Sequence, residues 1–421
     1  MGMTLVEKIL ARHSGEKKVE PGQFLTIDVD YCMANDATMR LNIDVVENTL
    51  KATKLWDPSK IVLVMDHQVP SDSVLTAQVH EMSKKFADKY GIAAYYNGEG
   101  ICHQLMVEKY LLPGQIMVAA DSHSPSMGAL GAVGLGMGST DVGATMVAGK
   151  TWVKVPQSVL VVLKGQLPQA VYAKDIILAM IGKTTAGGLI YKAVEFQGDA
   201  VSKFSVSERF TLCNMATEAG VKTAIVAPDE KVVDYLQKER GVSVPLESWM
   251  LSDSDAKFEQ TIEIDLSKLT PQVACPHSVD NVCDVSKIAG LKIDQAFIGA
   301  CTNARIDDLR IVAQVLKGNK VNPNVKMDIT PASRTIYLQA IQEGLIEIFL
   351  EAGARINHPG CSTCWGACQG VLGPGQVLIS TQNRNFRGRA GSKDSSVYLA
   401  SPRTVAYSAI KGFVTDPREG I

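Results

Sequence analysis

No stretch of this sequence reaches the ~18 consecutive apolar residues that a membrane-spanning helix needs. Met1 to Gly15 is polar and charged, without the apolar segment of a secretory signal. Membrane insertion and export are therefore not expected. Val6 stands where N-myristoylation would require Ser or Thr. Charge of one sign is missing too. The 42 Lys and Arg are matched by 44 Asp and Glu, a formal net charge of −2, so no basic face for nucleic acid is expected. Cysteine is sparse: nine residues, an odd number, in a chain with no secretory context. That excludes a disulfide framework and leaves core filling, metal binding or catalysis in a reducing cytoplasm. There is also no low-complexity tract and no short repeat.

What remains is an ordinary globular composition, 46% hydrophobic and 20% charged, in 421 residues. Such a chain is too long for one core, and two or three domains are expected. Short apolar runs alternate with amphipathic stretches. Ile61–Met65, Ile116–Ala120, Val159–Leu163, Thr223–Ala227, Ala296–Ala300 and Gln376–Ser380 read as buried strands. Asp229–Arg240 and Ser333–Ala352 read as helical. This alternation predicts an α/β fold with mainly parallel strands. Val155-Pro156-Gln157 and the stretch from Leu269 to Pro276 read as hinges. They divide the chain into α/β domains at 1–155, 156–275 and 276–421.

Chemically loaded residues follow the apolar runs. Asp66-His67 follows the first, Asp121-Ser122-His123 the second, Cys301 the run ending at Ala300, and Asn383-Arg384 the run ending at Ser380. Ligands of open α/β sheets bind outside the carboxyl ends of strands, so four such groups point to one shared cleft. Polar residues also terminate strands for no functional reason, but that explains one such group better than four.

Cys361-Ser362-Thr363-Cys364 is a C-x-x-C, and Cys301 is the natural third thiol. Taken alone, the motif fits zinc, a redox pair or an iron–sulfur site, because thiolates are soft ligands. Cys368 lies four residues after Cys364 and could complete a four-cysteine site for zinc or an electron carrier. Cys32, Cys102, Cys213, Cys275 and Cys283 have no partner spacing and read mostly as core filling. Cys102 and Cys213 sit beside motif residues and could line the cleft. Five glycines between Gly128 and Gly138 lack both G-x-G-x-x-G spacing and a P-loop lysine. They read as a close-packed turn entering a helix capped near Ser139 to Asp141, not as a nucleotide loop.

Eight ordered motifs carry a resemblance over nearly the whole chain. They are Met65 to Pro70, Gly100 to Gln104, Ala120 to Pro125, Gly136 to Asp141, Cys213 to Glu218, Cys301 to Asn303, Gly360 to Cys364 and Asn383 to Arg389. Together they are similar to the aconitase superfamily, in particular to large subunits of the 3-isopropylmalate dehydratase type. The resemblance implies three α/β/α domains around a central cleft, without the mobile fourth domain of single-chain aconitases. It implies one [4Fe-4S] cluster held by Cys301, Cys361 and Cys364, with Asn214, Asn303 and Asn383 nearby. An open fourth iron would act on the substrate, which an electron-transfer cluster with four cysteines does not do.

It also implies three carboxylate–imidazole pairs: Asp66 with His67, which protonates the departing hydroxyl, Asp121 with His103, and Glu218 with His123. Histidine titrates in the useful range and a neighbouring carboxylate fixes its tautomer. Arg384, Arg389 and Ser122 would bind substrate. The guanidinium fork matches a carboxylate. Arg305, Arg334 and Arg387 read as solvated or salt-bridged, and His13, His80, His277 and His358 as structural or surface residues. The implied partner is a small subunit carrying the mobile domain, the serine base and a further arginine. The implied substrate is a small hydroxy-diacid: an isopropylmalate first, then dimethylmalate, citramalate-type or homoaconitate-type molecules. Ser362-Thr363, Ser124, Ala300, Ala304 and Cys368 depart from the usual pattern and leave the substrate side chain open.

Overall fold

The computed structural model describes residues 2–420. Its strands form three main sheets and one two-stranded antiparallel ribbon, Phe24–Asp28 with Lys150–Lys154. The first sheet is parallel, in the order Tyr95–Asn97, Ile61–Met65, Tyr31–Asn35, Ile116–Ala119, Val133–Gly136. Ile61–Met65 and Ile116–Ala119 are buried along their whole length, as expected of apolar runs in a parallel sheet covered on both faces. The strand between them, Tyr31–Asn35, is central to the sheet and was not among the expected runs. Its carboxyl end therefore emerges between Asp66-His67 and Asp121-Ser122-His123.

The second sheet is parallel, in the order Thr223–Val226, Ala193–Gln197, Ser158–Lys164, Gln260–Asp265. The third has seven strands. Five parallel ones run in the order Ser396–Leu399, Val377–Ser380, Gln295–Ile298, Lys326–Ile329, Arg355–Ile356. The hairpin Gln272–Ala274 with Val282–Asp284 adds antiparallel to one edge. Gln272–Ala274 thus joins the third sheet although it precedes residue 276.

One apolar core contains Met33, Val64 and Met117 of the first sheet together with Ala296, Ile298 and Ile329 of the third. Another joins Val161 and Phe196 of the second sheet to Phe297, Ala300 and Leu378 of the third. The three sheets therefore pack on each other, and their loaded strand ends are held at fixed separations.

Local chemistry explains two departures from the expected elements. Ser333–Ala352 is two helices, Arg334–Gln342 and Leu345–Ala352, because Gly344 adopts a left-handed φ of 72° between them. The glycine-rich stretch is a 3₁₀ segment, Ser124–Leu130, then the strand Val133–Gly136, then the helix Ser139–Ala148. That helix starts after Gly138 with no side-chain cap, so the expected capping near Ser139 to Asp141 is absent. The close packing is real. A Cβ on Gly128 would sit 1.8 Å from the Ala224 carbonyl oxygen, inside the second sheet. Gly128→Ala must push that strand away, and we expect a loss of about 3 kcal/mol or more, read from denaturant midpoints.

The helix Val206–Ala216 is capped by Ser205 and Glu208 and lies between the sheets. Its Arg209 is fully buried and donates to both Asp229 oxygens, at 2.8 and 2.6 Å. Asp229 also caps the next helix, Glu230–Arg240. Asp229→Ala strands a buried guanidinium and removes that cap. The expected cost is about 3–5 kcal/mol, again measured by chemical denaturation.

Candidate active site

The first cluster forms where two neighbouring parallel strands, Tyr31–Asn35 and Ile61–Met65, end. Asp66 Oδ1 lies 2.7 Å from His67 Nδ1, and both residues are buried. Asp66 is itself held by the Cys102 backbone N–H, at 2.7 Å on Oδ2. Asp36, the first residue after Tyr31–Asn35, completes the group. Its carboxylate accepts the backbone N–H groups of His67 at 3.0 Å and Gln68 at 2.9 Å. It also lies 3.3 Å from His67 Nδ1 and 3.4 Å from His80 Nε2. Burial alone would lower the pKa of His67. The charges of Cys361 and Asp66, with hydrogen bonds to Asp36 and Asp66, outweigh it and hold the imidazole well above its ordinary value. Trp365 meets the ring edge-on at a centroid distance of 4.8 Å.

A second cluster adjoins the first. Asp121 lies 3.1 Å from His103 Nε2, although off the hydrogen-bonding direction, and 3.9 Å from His67 Nε2. Asn35 Nδ2 donates at 3.1 Å to Asp121 Oδ2, the oxygen that faces His67. Burial pushes the Asp121 carboxyl up, but His103, His123 and His67 together bring it well below the usual range. His123 Nε2 lies 2.9 Å from Glu218. Glu218 also accepts from Arg384 Nε at 2.9 and 3.1 Å. Arg384 is thereby a partner of the His123–Glu218 pair.

The thiols come from the third sheet. One of its strands, Gln295–Ile298, ends shortly before Ala300, which, with a φ of 68°, turns the chain before Cys301. Cys361 and Cys364 flank a 3₁₀ turn closed by the Cys364 N–H on Cys361 O at 3.2 Å. Asn383 Oδ1 lies 3.8 Å from Cys301 Sγ and 3.6 Å from Cys364 Sγ, so one amide touches both sulfurs. Asn214 on its buried helix accepts from Asn383 Nδ2. Cys361 Sγ lies 3.9 Å from Asp66, which ties the thiols to the first cluster. Arg389 Nη2 lies 3.5 Å from Cys364 Sγ, and its buried Nε has no partner among the described residues. Burial raises a thiol's pKa, yet the charge of His123 and the bonds of His103 and Asn214 bring Cys301 down to about 6. Cys368 points elsewhere, onto the backbone carbonyl of His67 at 3.3 Å.

Other expected residues lie differently. Asn303 donates to Asp308 at 2.8 Å and to Thr211 at 3.3 Å, so its amide nitrogen braces the start of the helix Ile306–Leu316. Ser122 is exposed and lines a depression of about 480 Å³ with Gly138, Thr217 and Lys222. Arg305 takes the salt-bridged one of its two expected roles, with Nη2 3.6 Å from Asp308. It is buried, and its guanidinium donates to the Cys301 and Thr302 carbonyls. His80 is buried on Asp36. Asn35 and Asp36 are the residues that sequence reading passed over. The signal was present: a polar pair closing a short run, Tyr31 to Ala34.

A family model described as "Aconitase family (aconitate hydratase)" matches residues 7–290 and 285–412. The chain belongs to the aconitase family. A relative named "Probable 3-isopropylmalate dehydratase large subunit" from Methanothermobacter thermautotrophicus is 46% identical over 99% of each chain. One named "3-isopropylmalate dehydratase large subunit 1" from Archaeoglobus fulgidus is 46% identical over the whole of both. A "Probable methanogen homoaconitase large subunit" from Methanosarcina mazei is 48% identical over 93% of this chain and 99% of its own. Among solved structures, aconitase X of Thermococcus kodakaraensis in its holo form aligns with a TM-score of 0.51 at 15% identity. The alignment covers 93% of this chain and 87% of that one, a likeness of fold.

Family membership implies an iron–sulfur cluster. The donor chemistry fits one: Cys301 and Cys364 meet at a single amide, Cys361 lies one tight turn away, and the nearest further thiol in sequence, Cys368, is turned onto a carbonyl. Among the described residues no helix is long and apolar enough to cross a membrane.

Proposed function

We propose that this aconitase-family hydro-lyase chain is the large subunit of a 3-isopropylmalate dehydratase, and that Cys301, Cys361 and Cys364 hold one [4Fe-4S] cluster. The observation that carries the reading is end-to-end similarity to proteins of that name, at 45–46% identity. It coincides with three thiols beside three histidine–carboxylate pairs. When bound, the cluster supplies an open iron as a Lewis acid for substrate oxygen.

The chain's own residues then have these roles. Asp66 and Asp36 hold His67 Nδ1–H, which leaves Nε2 to give a proton to the departing hydroxyl. His103 with Asp121 and His123 with Glu218 hold the leaving water. Arg389, with one face on Cys364, binds substrate carboxylate, and Arg384 orients Glu218. Burial of all three imidazoles limits competition from bulk water for these protons. The relatives' names designate large subunits, which implies a small-subunit partner. We assign to that partner the mobile domain and the serine base.

Homoaconitase is a second reading, because one large subunit of that name is 48% identical. A substrate panel separates the two. The chain, reconstituted anaerobically with its small subunit, should turn over 3-isopropylmalate with a kcat/KM at least ~100-fold above that for homoaconitate, a gap of about 3 kcal/mol that pocket fit can supply. The reverse preference would replace the first reading with the second. Equal and negligible rates with both would reject the pair.

A further inference from the structure

Cys275 and Cys283 have no motif and no part in the site described above. The hairpin at the edge of the third sheet brings them together. Val273 pairs with Cys283 in its antiparallel register, so Cys275, two residues further on, lies diagonally across on the same face. The Cys275 N–H to Asn281 O bond, 2.8 Å, fixes that placement. The two sulfurs lie 3.8 Å apart, in contact, and both residues are half-buried rather than sealed in the core.

We infer that Cys275 and Cys283 form a modification site, a vicinal dithiol that exchanges with small-molecule disulfides to close an intramolecular disulfide. Three observations support it. The sulfurs are already in contact at 3.8 Å on one face of the hairpin, and a disulfide brings them to ~2.05 Å. The pair is reachable by a small reagent, whereas Cys32 and Cys213 are fully buried. The hairpin also bears on the site's framework. Asn385 Nδ2 donates to the Cys275 carbonyl at 2.8 Å, next in sequence to Arg384.

The step balances as ordinary thiol–disulfide exchange. The Cys283 thiolate attacks one sulfur of the reagent disulfide and expels one thiolate, leaving a mixed disulfide on Cys283. Cys275 then loses its proton to solvent, attacks Cys283 Sγ and expels the second thiolate. The protein loses two hydrogens, and the reagent is reduced to two thiols. Burial and the charge of Cys283 push the Cys275 thiol up to about 12, which makes it the second, resolving thiol.

The test uses the full chain as isolated anaerobically, treated with oxidised glutathione, quenched by alkylation and digested with trypsin. Residues 269–287 form one peptide that carries both cysteines and no other. The expected product is that peptide lighter by two hydrogens and resistant to alkylation. Cys275→Ser should instead retain glutathione on Cys283. Recovery of the wild-type peptide with both thiols alkylated, or with glutathione stably attached, would overturn the inference. So would Cys275→Ser that takes up no glutathione. The readout is a peptide mass, independent of substrate and of cluster occupancy.

Discussion

Cys364→Ser, prepared anaerobically, should lose its cluster and at least ~10³-fold in kcat, because the Lewis acid is worth several kcal/mol and each 1.4 kcal/mol is a factor of ten. Cys301→Ser should behave the same way. Cys368→Ser should keep its full iron and sulfide content and most of its activity. The contrast follows from where the sulfurs lie. Cys301 and Cys364 both touch Asn383, and Arg389 approaches Cys364. Cys368, only four residues on, is spent on the His67 carbonyl. A hydroxyl at residue 368 can make that same contact, whereas a hydroxyl at residue 364 cannot replace a thiolate on iron. Iron and acid-labile sulfide per chain, with the visible absorbance, measure the outcome. Loss of iron from Cys368→Ser would mean a four-cysteine site and remove the open position on which the proposed chemistry depends. Replacing Cys275 or Cys283 should leave iron content untouched, so the two sets of thiols are separable in one series.

Much of this arrangement was legible because a parallel sheet buries its strands on both faces. A run such as Ile61–Met65 has no alternation to hide it, and the first polar residues after it mark the cleft side. Tyr31–Asn35 is as long as Ile61–Met65 but escaped because Tyr-Cys-Met-Ala-Asn has no β-branched residue and ends on a polar one. Its place in the sheet depends on pairing with strands distant in sequence, which no local pattern encodes. Asp36 was hidden for the same reason. It opens the helix Asp36–Asp44 and reads locally as an ordinary acidic first turn. Side-chain direction was also beyond reach. Asn303 and Asn383 both follow strand ends, yet Asp308 captures the first, while Asn214 and two sulfurs surround the second. The pairing of Cys275 with Cys283 is set by hairpin register, which spacing alone does not reveal.

Asp36 carries the second large expectation. His67→Asn should lower kcat about 10²–10⁴-fold, the usual worth of a general acid. Asp36→Asn should lower it less, about ten-fold, and should also move the pH profile. The sign follows from the surroundings of His67. Burial opposes its protonation, while the charges of Cys361 and Asp66 and the hydrogen bonds to the Asp36 and Asp66 carboxylates favour it and prevail. A proton donor loses activity as pH rises through its pKa. Removing the Asp36 charge lowers that pKa, so the alkaline limb of kcat should move to lower pH by about 1 unit. KM should change little, because Asp36 touches backbone N–H groups and imidazoles, not Arg384 or Arg389. Asp36→Glu keeps the charge but displaces it, so it should hold the alkaline limb in place while still losing kcat. An alkaline limb that stays put in Asp36→Asn would leave Asp36 as a backbone brace alone and assign the tuning of His67 to Asp66.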